Sequence, residues 1–592
     1  MNFFKTFLAS CLGSLVALLA LSLIMFIVWI AIIGSIMSGV SSGGDEVAVE
    51  NRSILHLKLD APIIESSEDN IGAFPFSGNV TPIGLVQLKS VIEHARNDSK
   101  IEGIYLDVSM PVAGYATVEE IRSALTDFKS GGKWIIAYSE MYSEKGFYLA
   151  SVADKILLYK EGDLEFNGLA VEAEFYKKLL DKLEIKPQVF RVGEFKSAVE
   201  PFLLEKMSPE SRLQTEALIN SIYDDVLANV SESRKIPVEK LTEISDKMLV
   251  RTANDAKEFG LVDGLVYYDD VLAEFKTRIG NDSIESKDIN FVKYNQYRKS
   301  FSDVKSSKNE IAVIVAEGEI VPGKGDNGLI GGDAFAAEIR RAREDKDVKA
   351  IVIRINSPGG SFSASDIMWR EIELATKEKT VIASMGDVAA SGGYYMAMAC
   401  DTIVAQPNTI TGSIGIFGVM FDLSDFLDNK LGITHDEVKT GEFGNRFTVT
   451  RPLNEQEKKI WQTEISRLYD VFTSKAAEGR GMTQEAIKAI GGGRVWTGTQ
   501  AKENHLVDIL GNFDDAVAIA AEKAGVASDY KLRYYPKRKP FFEELVETLT
   551  GEASANAMKA EFGEYYGWFT KWEKLQHQQG MQARMPFELK ID

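Results

Sequence analysis

Apolar and polar positions alternate along this chain in two regimes. Residues 7–37 are almost wholly apolar, and no charged residue stands between Lys5 and Asp45. As a helix, 31 residues extend about 46 Å at 1.5 Å per residue, more than the about 30 Å of a bilayer's hydrocarbon core. The pattern predicts an uncleaved transmembrane anchor over residues 1–40, because a cleaved signal peptide carries only about 7–15 apolar residues. The small residues Ser38, Gly39 and Ser41 keep cleavage as the alternative. Lys5 precedes the span and Asp45, Glu46 and Glu50 follow it, so the positive-inside rule orients the body outside the cytoplasm.

Beyond the anchor, short Val- and Ile-rich runs alternate with helix-period segments. Residues 311–320, 349–355, 380–385 and 401–406 read as strands. Residues 334–345, 363–378 and 457–480 carry apolar faces at helical spacing. Strand and helix alternating in this way imply parallel βαβ units and an α/β fold. In the last helix Ile460, Trp461, Ile465, Leu468, Tyr469 and Phe472 form a stripe suited to a core or a subunit contact.

The chain is also written twice. VRTANDAKEFGLVD (250–263) aligns without gaps to VWTGTQAKENHLVD (495–508), with eight of fourteen positions identical. GFYLASVADKI (146–156) lies on GYYMAMACDTI (393–403), and VGEF (192–195) on TGEF (440–443). The matches are collinear, so two tandem repeats are expected. The predicted division is an anchor (1–40), a first repeat (41–300), a second repeat (301–540) and a tail (541–592). The tail is a mixed polar and aromatic stretch with no readable role.

Composition narrows the chemistry. The net charge of −20 argues against nucleic-acid binding, which needs clustered cations. Two cysteines, Cys11 and Cys400, and five scattered histidines offer neither a disulfide framework nor a metal-ligand spacing. No metal and no cofactor is expected.

Three motifs remain. Asn356-Ser-Pro-Gly-Gly360 follows a strand and precedes a helix; its glycines suit an oxyanion hole or a plain tight turn. In Ala389-Ala-Ser-Gly-Gly-Tyr394 tiny residues flank Ser391, leaving its hydroxyl open as a nucleophile with Gly392 N–H as a donor, or simply as a helix cap. Ser413, in Thr411-Gly-Ser-Ile-Gly, is assigned a supporting role, holding a catalytic amine by a hydrogen bond. The third motif, Gly193-Glu-Phe-Lys-Ser-Ala-Val-Glu-Pro201, brings Lys196. The alignment sets Gly444 opposite Lys196 and Glu144 opposite Ser391, so each repeat retains what the other lacks. That complementarity is expected if one site is assembled across both repeats. With no histidine in these motifs, a lysine made neutral by burial is the available base. Phe417, Val419 and Met420 follow the Ser413 turn and either line a substrate pocket or pack in the core.

NSPGG, ASGGYY, TGSIGIFG and GEFKSAVEPF resemble the signal peptide peptidase A (protease IV) family in its long duplicated form. The resemblance covers essentially the whole chain after the anchor. It implies two tandem crotonase/Clp-protease-like domains and a Ser–Lys peptidase on the extracytoplasmic side of the cell inner membrane. That enzyme degrades signal peptides left after precursor processing and other apolar unfolded peptides, and assembles as a homotetramer. It implies Ser391 as nucleophile, Lys196 as general base, and Gly360 and Gly392 as oxyanion donors. The expected partners are therefore peptide substrates, membrane lipid and further copies of the chain. A catalytically inactive membrane scaffold is the alternative; a crotonase-type acyl-CoA enzyme fits worse, because such enzymes need neither the anchor nor a serine nucleophile.

Overall fold

The computed structural model describes residues 49–66, 82–302, 306–325, 328–535 and 580–585, together with Gly13, Leu18 and residues 21–25. The expected anchor falls largely outside them, and among the described residues no helix is long and apolar enough to cross a membrane.

In the first repeat, strands β1 (Ser53–Lys58), β2 (Ile101–Asp107), β3 (Trp134–Tyr142) and β4 (Lys155–Leu164) alternate with helices α1 (Leu85–Asn97), α2 (Tyr115–Ser130) and α3 (Glu144–Ala150). β5 (Lys186–Val192) then leaves this sheet, and helix α4 (Pro209–Arg234) follows. β6 (Gly264–Val266) and β7 (Phe291–Lys293) complete a parallel sheet of order β6-β4-β3-β2-β1-β7.

The second repeat uses β8 (Glu310–Glu317), β9 (Glu319–Val321), α5 (Gly332–Glu344), β10 (Val348–Ser357), β11 (Gly359–Ser361), α6 (Phe362–Thr376), β12 (Thr380–Ala390) and α7 (Gly392–Ala397). It continues through β13 (Ile410–Gly412), β14 (Ile416–Asp422), α8 (Glu455–Arg480), β15 (Val495–Thr497) and β16 (Lys531–Tyr535). Its main sheet runs β15-β13-β12-β10-β8-β16. Along β10, six consecutive residues from Ala350 to Ile355 alternate between two faces that are both covered, and all but Arg354 are apolar. That continuous run is what a parallel strand with helices on both sides requires. Strand β12 continues past the expected 380–385 to Ala390, because beyond an irregularity in its pairing with β10 it gains β13 as a neighbour. α8 starts with an Asn454–Glu457 capping box and stops at Gly481, whose φ of 62° suits glycine.

A third sheet joins the repeats. β5 of the first repeat pairs antiparallel with β14 of the second over seven residues, Val192↔Ile416 to Lys186↔Asp422. On the other edge of β14 lies a strand from the tail, β17 (Gly580–Arg584), which also pairs antiparallel with β11. The tail thus supplies an inner strand, which its composition did not signal.

Charged side chains hold the seam. Arg354, buried on β10, binds Glu65 (2.7 Å) and Glu120 (2.8 Å) of the first repeat, and Glu120 binds Lys89 (2.8 Å). Burial pushes Glu120 up, but Arg354 and Lys89 outweigh it and hold the carboxyl down at about 2. Asp387 accepts from Thr117 N (2.8 Å), Thr117 Oγ1 (2.7 Å) and Gly114 N (3.1 Å).

Candidate active site

Ser391 ends β12 and opens α7. Its backbone is held at φ 55°, ψ −109°, a conformation costly for any residue with a side chain. Two neighbours fix it: its N–H donates to Gly412 O (2.8 Å), while its carbonyl accepts Tyr395 N–H (2.8 Å). Ser413 is likewise at φ 50°, with its N–H on Arg494 O (2.7 Å). The tight turns bring two hydroxyls to one point.

Lys196 arrives from the other repeat. Its loop follows β5, so the β5–β14 ladder carries it to the serines. Two glycines of the second repeat complete the seat. Gly492 O accepts Phe195 N–H (3.1 Å), and a Cβ on Gly493 would come within 2.7 Å of Lys196 backbone and Cβ. Gly492 N–H in turn donates to Tyr469 Oη (3.2 Å). From α4, Gln214 Nε2 donates to Phe195 O (3.0 Å) and Ser197 Oγ (3.0 Å), and its Oε1 accepts Val495 N–H (3.3 Å). The motif reading missed Gln214, Gly492 and Gly493; the Gly491-Gly492-Gly493 run was the only local signal for any of them.

Lys196 is 0% exposed, and its Nζ lies 2.9 Å from Ser391 Oγ, 2.9 Å from Ser413 Oγ and 3.2 Å from Ser413 O. Burial alone drives its pKa well below the ordinary lysine value. A neutral amine has two N–H donors and one lone pair. Donating to the carbonyl and hydroxyl of Ser413 leaves the lone pair for the Ser391 O–H. Beneath, Phe417 and Val419 pack with Val199 and Phe202, whereas Met420 joins the main core of the second repeat.

Gly359 (φ 98°) and Gly360 (φ 153°) have backbones that side chains rarely adopt, and a Cβ on Gly360 would sit 2.1 Å from Ile320 O. Gly392 begins α7, where a first-turn N–H has no partner within the helix. The carbonyl oxygen of Ala583, on β17, lies 2.1 Å from where a Gly359 Cβ would be and 3.1 Å from that of Gly392. Beside β17 a groove of about 1030 Å³ is lined by Ile320, Phe362, Asp366, Leu468, Met581 and Gln582, among others. Among the described residues no three His, Cys, Asp or Glu side chains group as a metal site would require.

A duplicated α/β chain with a desolvated amine on a serine hydroxyl has the parts of a serine hydrolase, and comparison narrows the class to serine peptidases. The Peptidase family S49 model matches twice, at residues 127–281 and 373–527, and the chain belongs to that family. It is 35% identical over 551 residues to Protease 4 of Salmonella typhi, covering 90% of this chain and 88% of that one. It is 34% identical over 524 residues to Protease 4 of Haemophilus influenzae, covering 86% and 85%. The chloroplastic serine protease SPPA of Arabidopsis thaliana is 34% identical over 479 residues, covering 80% and 70%.

Proposed function

We propose that this chain is a membrane-anchored serine endopeptidase with Ser391 as nucleophile and Lys196 as general base. The observation that carries the reading is the 2.9 Å contact between Lys196 Nζ and Ser391 Oγ, buried where the repeats of an S49 peptidase meet. Neutral Lys196 takes the proton as Ser391 Oγ attacks a peptide carbonyl, then delivers it to the leaving amine. Gly360 and Gly392 N–H groups stabilise the oxyanion, and Ser413 orients the amine. Burial holds the Lys196 amine towards its neutral form, at the expense of the charged form that lysine prefers in water. An inactive scaffold gives no reason to keep so costly an arrangement.

The slot between β11 and β14, which β17 fills as an extended strand, has a shape that suits unfolded apolar peptides, cleaved signal peptides included, better than folded domains. The predicted anchor assigns the body to the extracytoplasmic face of the inner membrane. Protease added to spheroplasts should digest it; protection until lysis would reverse the orientation.

The repeat also supports self-assembly. Residues 434–440 align with β5, yet residues 431–442 are exposed throughout, and Val438 is 100% exposed where its counterpart Phe190 is 6% exposed. The counterpart of β14, residues 169–175, alternates between half-buried and exposed positions, the period of an edge strand. Pairing this arm with residues 169–175 of a second copy repeats the β5–β14 contact head to tail. Such a heterologous contact builds a ring when its rotation closes, and the family resemblance suggests four copies.

The test of the chemistry is active-site serine labelling across pH. Labelling and kcat/KM should fall as pH drops through the lowered pKa of Lys196, since protonated lysine is no base, and should persist under mildly alkaline conditions. A rate flat from about pH 5 to 9 with chemistry limiting would contradict a lysine base.

A further inference from the structure

Arg494 carries a charge that no partner neutralises. It lies half-buried between the Gly491-Gly492-Gly493 run and β15; among the described residues it pairs with no carboxylate, and its buried Nε has no hydrogen-bond partner. Its guanidinium is held by rings instead: Cζ lies 4.1 Å from the centroid of Trp496 and 5.0 Å from that of Phe195, both within cation–π reach. Phe195 immediately precedes Lys196. Trp496, fixed by its Nε1–H on Ile490 O (3.1 Å), covers Gly412, where an added Cβ would fall 2.8 Å from its Cδ1. Gly412 O accepts the Ser391 N–H, and Arg494 O accepts that of Ser413. One residue thus spans the segments that bear the amine and both hydroxyls. The stack is also confined to one repeat. The alignment sets Leu249 at Arg494 and Arg251 at Trp496, and there Leu249 packs against the first repeat's core while Arg251 is exposed.

We propose that Arg494 is a positioning residue for the reaction: clamped between Phe195 and Trp496, its guanidinium pins the Lys196 loop onto the two serine turns and keeps water from the amine. This rests on the assignment of Ser391 and Lys196 as nucleophile and base. Other charged or titratable groups surround that loop. Arg191 of β5 donates to Lys196 O (3.4 Å), and Glu194 is exposed. The Glu200 carboxylate takes Ser208 N–H (3.1 Å) and Oγ–H (2.6 Å), and Tyr469 of α8 accepts Gly492 N–H. None of them shifts Lys196, which burial alone holds towards the neutral form. Whatever hydrates the amine therefore raises its pKa, and removing a neighbouring cation acts in the same direction. A lysine with a higher pKa is protonated, and so lost as a base, at a higher pH.

The experiment is a pair of pH profiles, of kcat and of KM for an unfolded apolar peptide, recorded on the full chain in detergent together with the melting temperature. Arg494→Ala should move the acid limb of kcat upward by about one pH unit, a loss of about tenfold below the limb. The rate should return under mildly alkaline conditions, with KM nearly unchanged. Arg494→Lys, which puts a cation back between the rings, should reverse most of the shift. Phe195→Leu, which removes one ring and keeps an apolar side chain, should move the limb in the same direction, so the test holds even if Arg494→Ala does not fold. A limb that stays in place in these variants, or a loss equal at every pH that tracks the melting temperature, overturns the proposal and makes Arg494 a packing residue only. That outcome leaves the peptidase reading standing, because wild type still shows the limb of a lysine base. Wild type whose rate is flat across pH with chemistry limiting removes the lysine base, and this proposal with it.

Discussion

The two repeats were built to one plan, and their differences show what a site needs beyond a fold. α1 and α5, α2 and α6, and the 26-residue α4 and α8 occupy matching places. Yet only the second repeat turns a serine at φ 55° into a glycine cradle. In the first, Glu144 stands in the aligned position and accepts the N–H groups of Asn167 (3.1 Å) and Gly168 (2.9 Å). Burial foremost pushes that carboxyl up. Conversely, Lys196 sits in a buried seat while its counterpart Gly444 is exposed. One fold frames both places, but only the second repeat holds the strained serine turn and only the first supplies the buried amine.

The largest effects come from breaking that asymmetry. Ser391→Ala and Lys196→Ala should each lower peptide turnover by about 10³-fold or more, with the melting temperature nearly unchanged. Adding Glu144→Ser to Ser391→Ala should restore nothing, because the position that aligns with Lys196 in the second repeat is Gly444. Recovered turnover in that double variant would reveal a latent second site and end the argument from complementary loss.

Next is the seam. Arg354→Met leaves Glu65 and Glu120 buried without their guanidinium and should cost about 3–5 kcal/mol in denaturant unfolding. A change within experimental error would mean that the pairing does not tie the repeats.

The aligned positions Phe190 and Val438 should diverge. Phe190 stacks on Trp461 at 5.9 Å, so Phe190→Asp should destabilise by about 3 kcal/mol or more. Val438→Asp should leave unfolding unchanged but shift sedimentation towards monomer; an unaltered oligomer would remove the arm from the interface.

A pH-dependent effect concerns Asn408, whose amide donates to Asp225 (2.7 Å) and Glu119 (3.2 Å) across the seam. Burial and the Asp225 charge push Glu119 up to about 8. Folded protein therefore holds a proton that the unfolded chain releases between the ordinary 4.5 and about 8, so this group's stabilising contribution declines as pH rises through that window. Glu119→Gln cannot ionise and should lose less stability than wild type between about pH 6 and 9, read as the change in melting temperature.

Local pattern determined much of this protein. The apolar runs 311–320 and 349–355 lie on β8, β9 and β10, and the helical faces 334–345, 363–378 and 457–480 on α5, α6 and α8, within two residues at their ends. Such elements follow from periodicities of 2 and 3.6 that each stretch carries within itself. The duplication was legible for the same reason, and from it came the pairing of a lysine in one repeat with a serine in the other. Tertiary structure alone decided the rest. β5 abandons its own sheet for β14, Gln214 and Gly493 seat the lysine, Arg354 finds two carboxylates of the other repeat, and five residues of an unreadable tail become the strand beside Gly360. Each is a pairing between segments far apart in sequence, and backbone hydrogen bonds and desolvated charges leave no periodic trace in either partner.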